Sequence, residues 1–279
     1  MTRPAFSLPA NTTIASALRQ LPLDALENRI LLMHALGLSR VELITQSERV
    51  ISDDEAQRLS ALIERRLAGE PIAYIVGERE FFGLALHVTP DVLIPRPDTE
   101  LLVELALDRL PHGGRVVDLG TGSGAIAVAV AHQRPDAEVH AVDISAAALA
   151  VAGRNAERHA VRLHLHQGDW LSPLSGEPFD LVVSNPPYIR SDDPHLAQGD
   201  LRFEPIGALT DHGGGLSALR NIATSAMHHL KPGSWLLMEH GYDQASDVRR
   251  MLAGSGYTAV QSWHDLAGIE RVTGGRLSR

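Results

Sequence analysis

The segment Asn185-Pro186-Pro187-Tyr188 constrains the fold more than any other part of the chain. It directly follows an apolar run, Phe179 to Ser184, which is typical of a buried strand. Two consecutive prolines can neither donate hydrogen bonds to a sheet nor continue into a helix. Proline also keeps the preceding residue extended, so Asn185 is expected to project stiffly from the strand end. The segment therefore predicts a rigid site at one edge of a sheet.

Beyond residue 115, strand and helix patterns alternate, which favours a parallel α/β sheet. The predicted strands are 115–119, 138–143, 161–166, 179–184, 234–239, 257–263 and 269–276. The predicted helices are 124–133, 145–159, 215–230 and 243–254. Because no helical pattern separates the last two strands, they predict an antiparallel hairpin at the edge of a seven-stranded, mostly parallel, Rossmann-like sheet.

The segments before this α/β region predict two further parts. Residues 1–80 carry short apolar stripes at helical spacing, with a capping box at Ser52–Glu55, and predict a small helical bundle. Residues 81–98 predict a β-hairpin linker, with its turn at Thr89–Asp91. Residues 99–279 then form the main domain. Arg96 and Glu100 are expected to organise the junction, and contact with a cofactor or substrate is the alternative.

Composition excludes several classes of function. The chain has no cysteine, so disulfides and thiolate chemistry are absent. Its formal net charge is −9 and Lys231 is its only lysine, which disfavours stable nucleic-acid binding. Neither a long apolar span nor a signal peptide is evident, so we expect a cytoplasmic protein without membrane attachment. His164 and His166 lack an evident third ligand, so no metal site is predicted.

A glycine-rich turn follows the first strand of the main domain. Gly120-Thr121-Gly122-Ser123-Gly124 leads from that strand into a helix, whose free N–H groups favour ligand binding. Gly120, Gly122 and Ala125 also match the dinucleotide pattern G-x-G-x-x-A. The turn therefore predicts a nucleotide site, and a plain strand-to-helix turn is the alternative.

Acidic and aromatic residues follow the next two strands. Asp143 ends the second strand, where a carboxylate can accept hydrogen bonds from ribose hydroxyls; the alternative is an N-cap for the following helix. Asp169 and Trp170 follow the third strand, where they suit adenine; for Trp170 the alternative is ordinary packing. Since ligands bind at the carboxyl ends of such strands, a nucleoside cofactor is expected to point its reacting end at Asn185.

The residues after the fourth strand indicate the chemistry. The Asn185 side chain and the Pro186 carbonyl offer two acceptors for the N–H groups of one planar nitrogen, and Tyr188 offers a flat face. A nicotinamide enzyme usually needs a group near the hydride that donates or accepts a proton, and this segment does not supply one. A planar nitrogen that attacks the methyl group of S-adenosylmethionine does need two such acceptors.

These motifs together resemble the peptide chain release factor N5-glutamine methyltransferase family, among the class I S-adenosylmethionine-dependent methyltransferases. The resemblance extends over nearly the whole chain and includes Ile94 to Glu100, Asp118 to Gly124, Asn185 to Ile189, and Phe203 to Pro205. It implies S-adenosylmethionine as cofactor and the glutamine of the Gly-Gly-Gln motif in class-1 release factors as substrate. It also implies that the helical domain recognises the release factor.

Individual roles follow from the residues and this resemblance. Asn185, Pro186 and Tyr188 are the expected catalytic residues, and Pro187 joins them in binding substrate. The expected cofactor residues are Gly120, Thr121, Gly122, Ser123, Gly124, Asp143, Asp169, Trp170 and Asn185. No general base is assigned. Residues 189–214 are expected to cover the substrate. The leading alternative is a methyltransferase acting on an exocyclic amino group of a nucleic-acid base; an oxidoreductase or a non-catalytic binding protein leaves the motif at Asn185 without a role.

Overall fold

The computed structural model describes residues 6–278, which fall into two structural units divided between Gly77 and Glu78. The first unit buries an apolar core that includes Ile14, Leu31 and Leu59. Its helices within the described residues are α1 (Ile14–Gln20), α2 (Ala25–Leu36), α3 (Arg40–Thr45), α4 (Asp53–Leu67) and α5 (Ile72–Val76).

Local sequence signals determine where these helices begin and end. The predicted capping box at Ser52–Glu55 is confirmed, and Ser39 forms a second one with Glu42 at the start of α3. Helix α2 ends at Gly37, whose positive φ of 65° suits a residue without a side chain. Helix α5 was not predicted, because five residues are too few to show a helical period.

The second unit begins with a hairpin whose predicted turn is wrong. Strands β1 (Glu78–Phe81) and β2 (Leu84–His87) pair antiparallel through a turn at Phe82 and Gly83, not at Thr89–Asp91. Both turn residues have positive φ, 52° and 77°, as tight two-residue hairpin turns require. The charged residues of β1 concealed the strand from a search for apolar alternation.

The main sheet has the predicted seven strands in the order β5-β4-β3-β6-β7-β9-β8. The final hairpin at the sheet edge is confirmed: β9 lies between β7 and β8 and is antiparallel to both. The other neighbouring pairs are parallel. The strands are β3 (Arg115–Leu119), β4 (Glu138–Asp143), β5 (His164–Gln167), β6 (Phe179–Ser184), β7 (Leu230–Glu239), β8 (Tyr257–His264) and β9 (Glu270–Leu277).

Helices cover both faces of this sheet. The longer ones are α6 (Glu100–Arg109), α7 (Ala125–Gln133), α8 (Ala146–Arg158), α10 (Ser217–Ser225) and α11 (Ala245–Gly254), and α9 (Ile206–Leu209) is a single turn. Val116 of β3 packs in the core with α6 and α7, whereas its neighbour Val117 packs in the core with α10 and α11. This alternation explains why the central strands are apolar throughout. No described helix has the length and apolar character to cross a bilayer.

Asn155 on α8 links three segments around the glycine-rich turn. Its side chain is fully buried, accepts from the backbone N–H of His87 at 2.7 Å and donates to the His87 carbonyl at 2.9 Å. It also donates to the carbonyl of Ser123 at 2.8 Å. The hairpin and the glycine-rich turn are therefore held to the same helix.

Asn155→Ala is expected to lower the free energy of unfolding by roughly 2–4 kcal/mol, because buried backbone groups lose their partners. Asn221→Ala is the matched control, since Asn221 is exposed on α10, and its effect is expected within about 0.5 kcal/mol. Chemical denaturation of both variants measures the difference. Equal effects in the two variants would show that the Asn155 contacts add nothing to stability.

Candidate active site

The glycine-rich turn is shaped by glycines with positive φ and is tied to the neighbouring strand. The backbone N–H groups of Gly120 and Thr121 both donate to the carbonyl of Val142, at 2.9 and 3.0 Å. At Gly120 (φ 70°) a side chain would meet the Trp170 ring at 3.4 Å, and at Gly124 (φ 79°) it would meet Ala152 at 3.0 Å. The turn thus packs closely on both sides, and a larger residue would strain it.

Two side chains of the turn point into the protein. The Thr121 hydroxyl donates to the Asp118 carboxylate at 2.6 Å, and both residues are buried. Burial raises the pKa of Asp118 to about 7, against the opposing effect of this hydrogen bond. Ser123 is also buried, and its carbonyl is bound by Asn155. These contacts hold the turn in place and leave Gly120 and Gly122 facing a cavity.

Asp143 connects this turn to the end of β4. One carboxylate oxygen accepts from the N–H of Gly122 and the other from the N–H of Ser145, each at 2.9 Å. The alternative role of Asp143 as an N-cap is wrong, because the Ser145 side chain caps α8 by accepting from Ala148. Each oxygen of Asp143 keeps further acceptor capacity at the cavity.

Asp169 and Trp170 lie after β5 at the same cavity. Trp170 has a positive φ of 47°, which is uncommon for an aromatic residue, and its partly buried ring lies over Gly120. Gly168 donates its N–H to the Asp143 carbonyl at 3.1 Å, which keeps this turn beside β4. An exposed carboxylate and an aromatic ring are thereby brought to one wall.

The larger cavity at this edge of the sheet has a volume of about 260 Å³. Of the predicted cofactor residues, Gly120, Gly122, Asp143, Asp169, Trp170 and Asn185 line it, whereas Thr121, Ser123 and Gly124 do not. Pro187, which was expected to bind substrate, also lines it, as do Pro205, Gly207 and Ala208 of the predicted covering segment. The rest of its wall was not assigned to a site from the sequence and comprises Asp91, Val92, Leu93, Val142, Ile144, Ser145, Ala148 and Gly168.

A smaller cavity of about 60 Å³ lies on the other side of Asn185. Asn185 lines both cavities, Pro186 and Tyr188 line the smaller one, and Pro187 lines the larger one. The Asn185 side-chain NH₂ donates to the Thr99 hydroxyl at 3.1 Å, so its oxygen remains free of that bond. The remaining wall consists of Leu93, Arg96, Ile189, Leu201, Ala208 and Leu209.

A buried carboxylate fastens the segments that wall both cavities. Glu204 accepts from the backbone N–H of Ile94 at 3.0 Å and pairs with the guanidinium of Arg96. Its side chain is fully buried and precedes the wall residues Pro205 to Ala208. Part of the predicted covering segment, 189–214, therefore lines the cavities. Arg96 lines the smaller cavity, where the alternative role of contacting a ligand would place it, and Glu100 accepts from the Phe82 N–H.

The sheet also brings together histidines that the sequence leaves apart. Glu138, His140 and His164 carry potential ligand atoms within 4.8 Å of one another, and His166 Nε2 lies 2.9 Å from His140 Nδ1. The expectation that no third ligand stands near His164 is thus wrong. Arg115 contacts Glu138 at 3.1 Å and His140 at 3.3 Å, so a positive charge already occupies the cluster. Hydrogen bonding is the simpler role, and the absence of a metal site stays a prediction.

Solved structures share this fold. A methyltransferase from Pyrococcus furiosus superposes with a TM-score of 0.56 at 19% identity, covering 79% of this chain and all of that one. The T. thermophilus 16S rRNA N2 G1207 methyltransferase, solved with AdoMet and guanosine, gives 0.54 at 21% identity, over 72% of this chain and 49% of that one. This likeness confirms the Rossmann-like methyltransferase fold.

Proteins related in sequence show to which family within this fold the chain belongs. The Methyltransferase small domain model matches residues 97–204, and the PrmC N-terminal domain model matches residues 10–77. A protein of Burkholderia pseudomallei (strain K96243) named release factor glutamine methyltransferase is 54% identical over 278 residues, which is 96% of this chain and 98% of that one. The resemblance carried by the sequence motifs is confirmed: the chain belongs to the release factor glutamine methyltransferase family.

Proposed function

We propose that this protein transfers the methyl group of S-adenosylmethionine to the side-chain amide nitrogen of a release factor glutamine, the one in the Gly-Gly-Gln motif of class-1 factors. The observation that carries the proposal is that two cavities of different size meet at Asn185. A transfer enzyme must hold donor and acceptor on either side of one point. The name of the relative from Burkholderia pseudomallei supports glutamine as the acceptor.

The residues of the larger cavity fit S-adenosylmethionine. Asp143 has acceptor capacity for the two ribose hydroxyls, since each of its oxygens binds one backbone N–H. Trp170 and Asp169 suit the adenine ring and its amino group. Gly120 has no side chain to obstruct the approach. When bound, the cofactor supplies an electrophilic methyl group on a positively charged sulfur.

The residues of the smaller cavity suit a primary amide. The Asn185 side-chain oxygen and the Pro186 carbonyl accept the two N–H bonds of the substrate nitrogen and stabilise the positive charge that develops there. The Tyr188 ring packs on the amide plane. The nitrogen gains the methyl group and releases one proton to water. A weak amide nucleophile depends on this positioning, because its lone pair is delocalised into the carbonyl.

Asp143→Ala is expected to raise the dissociation constant for S-adenosylmethionine by about 10- to 100-fold, since charge-assisted hydrogen bonds to ribose are lost. Asp108→Ala, at an exposed position on α6, is the matched control and is expected to bind normally. Isothermal titration calorimetry measures both. Normal binding by Asp143→Ala would show that Asp143 does not bind the ribose hydroxyls.

Asn185→Ala is expected to lower kcat by about 100- to 1000-fold, as the loss of an electrostatic acceptor in a dry site does. The affinity for S-adenosylmethionine is expected to change less, because five other predicted cofactor residues still line the larger cavity. Asn221→Ala serves as the control. Single-turnover methyl transfer gives the rate, and near-normal turnover by Asn185→Ala would refute its catalytic role.

The choice of substrate is tested by offering several acceptors together with labelled S-adenosylmethionine. These are an unmethylated class-1 release factor, its variant with alanine in place of the Gly-Gly-Gln glutamine, and unmethylated DNA and rRNA. Label is expected in the intact release factor alone. Label in nucleic acid but not in the release factor would favour the alternative substrate, an exocyclic amino group of a base.

A further inference from the structure

We propose that Glu239 is a positioning residue that orients the Asn185 amide through the Thr99 hydroxyl and holds the Tyr188 ring. This inference rests on the proposed function, since it concerns the same acceptor site. Glu239 lines neither cavity and touches no substrate position. It is expected to act only through Thr99 and Tyr188.

The sheet places Glu239 beside Asn185, the first residue of the segment that carries the proposed catalytic residues. Strands β6 and β7 are parallel, and Ser184 is the register partner of Met238. Asn185 directly follows β6, and Glu239 is the last residue of β7. Two residues that are 54 positions apart in sequence thereby lie side by side at the carboxyl ends of neighbouring strands.

The contacts of Glu239 converge on the residues that face the substrate. The Tyr188 hydroxyl donates to Glu239 Oε1 at 3.2 Å. The Thr99 hydroxyl accepts from the Asn185 side chain at 3.1 Å and also lowers the pKa of the Glu239 carboxylate, with which it forms no hydrogen bond of normal length and angle. Oε2 makes no hydrogen bond of normal length and angle, so the carboxylate keeps acceptor capacity although Glu239 is only 1% exposed.

The charge of Glu239 determines the direction of the hydrogen bonds. A carboxylate can only accept, so the Thr99 proton turns towards Glu239 and the Thr99 oxygen accepts from the Asn185 NH₂. The Asn185 oxygen is then left for the substrate N–H. With a donor in place of Glu239, the Thr99 proton turns towards Asn185 instead, and the amide flips its NH₂ towards the substrate. Two donors would then face each other.

Glu239→Gln tests this orientation because it keeps the shape and introduces a donor. We expect kcat for release factor methylation to fall by about 10- to 100-fold, as small displacements in an active site do. KM for the release factor and the affinity for S-adenosylmethionine are expected to stay within about twofold, since Glu239 lies outside both cavities. Glu104→Gln, at an exposed position on α6, is the matched control.

A second arm asks whether Glu239 acts through Thr99 and Tyr188. Glu239→Gln is introduced again into the double variant Thr99→Val, Tyr188→Phe, where it is expected to cause no further loss of kcat. Thr99→Ser keeps the hydroxyl and is expected to lose less kcat than Thr99→Val. An equal loss from Glu239→Gln in both backgrounds would overturn the proposal, because it would show a role that needs neither hydroxyl.

The pH profile supplies a readout that a purely structural role would not move. Burial raises the pKa of Glu239 to about 7; Asp98 raises it as well, whereas Thr99, Tyr188 and Arg271 lower it. Below that pH the carboxyl group carries a proton and can donate to Thr99. The kcat of the wild-type protein is therefore expected to rise as the pH increases through about 7, and this limb is expected to disappear in Glu239→Gln. Persistence of the limb in that variant would contradict the proposal.

An NMR measurement separates failure of this proposal from failure of the proposed function. The side-chain NH₂ signals of Asn185 are assigned by their absence from Asn185→Ala. They are expected to move in Glu239→Gln and to remain unmoved in Glu104→Gln. In the Thr99→Val, Tyr188→Phe background, Glu239→Gln is expected to cause no shift. If the Asn185 NH₂ signals do not move in Glu239→Gln, the positioning role is overturned, even where the wild-type protein methylates the release factor.

Discussion

The register of β6 between β3 and β7 is the constraint on which the rest of the site depends. Ser184 pairs with Leu119 on one side and Met238 on the other, and its hydroxyl donates to the Leu119 carbonyl at 2.7 Å. The residues that follow these three, Asn185, Gly120 and Glu239, must then lie side by side at the carboxyl ends of their strands. A slip by one residue would turn every side chain of β6 to the opposite face and bury Asn185.

Buried carboxylates perform two different tasks around this edge. Glu204 is fully paired by Arg96 and the Ile94 N–H, so it fastens two loops that wall both cavities. Asp118 and Glu239 each keep one oxygen without a hydrogen bond, and burial raises the pKa of both to about 7. A buried carboxylate that is fully paired stabilises a loop, whereas a buried carboxylate with an unpaired oxygen has a pKa that depends on its neighbours.

The sequence predicts most of the fold and the residues at the strand ends, but not which side chains contact those residues. Asp143 and Asn185 could be found because each directly ends an apolar run, and the alternation of strands and helices implies that such ends share one edge. The contacts of Thr99 and Glu204 could not be found, because they depend on the order of strands and on how loops return over the sheet. His140 was missed for the same reason: its partner His164 lies on the neighbouring strand. The position of the hairpin turn was predicted wrongly, because phenylalanine at position 82 is not a residue type that indicates positive φ.

The two cavities share more of their wall than Asn185 alone. Leu93 and Ala208 also line both cavities, and both belong to segments that Glu204 holds together. The wall between the cavities is thus formed by one strand end and two loops that converge on a single buried ion pair. Fixing the shape of a loop has a large entropic cost, and this ion pair explains how irregular segments can hold the wall of the proposed acceptor site in place. The proposed transfer requires that firmness, since the methyl group has to pass where Leu93, Asn185 and Ala208 border both cavities.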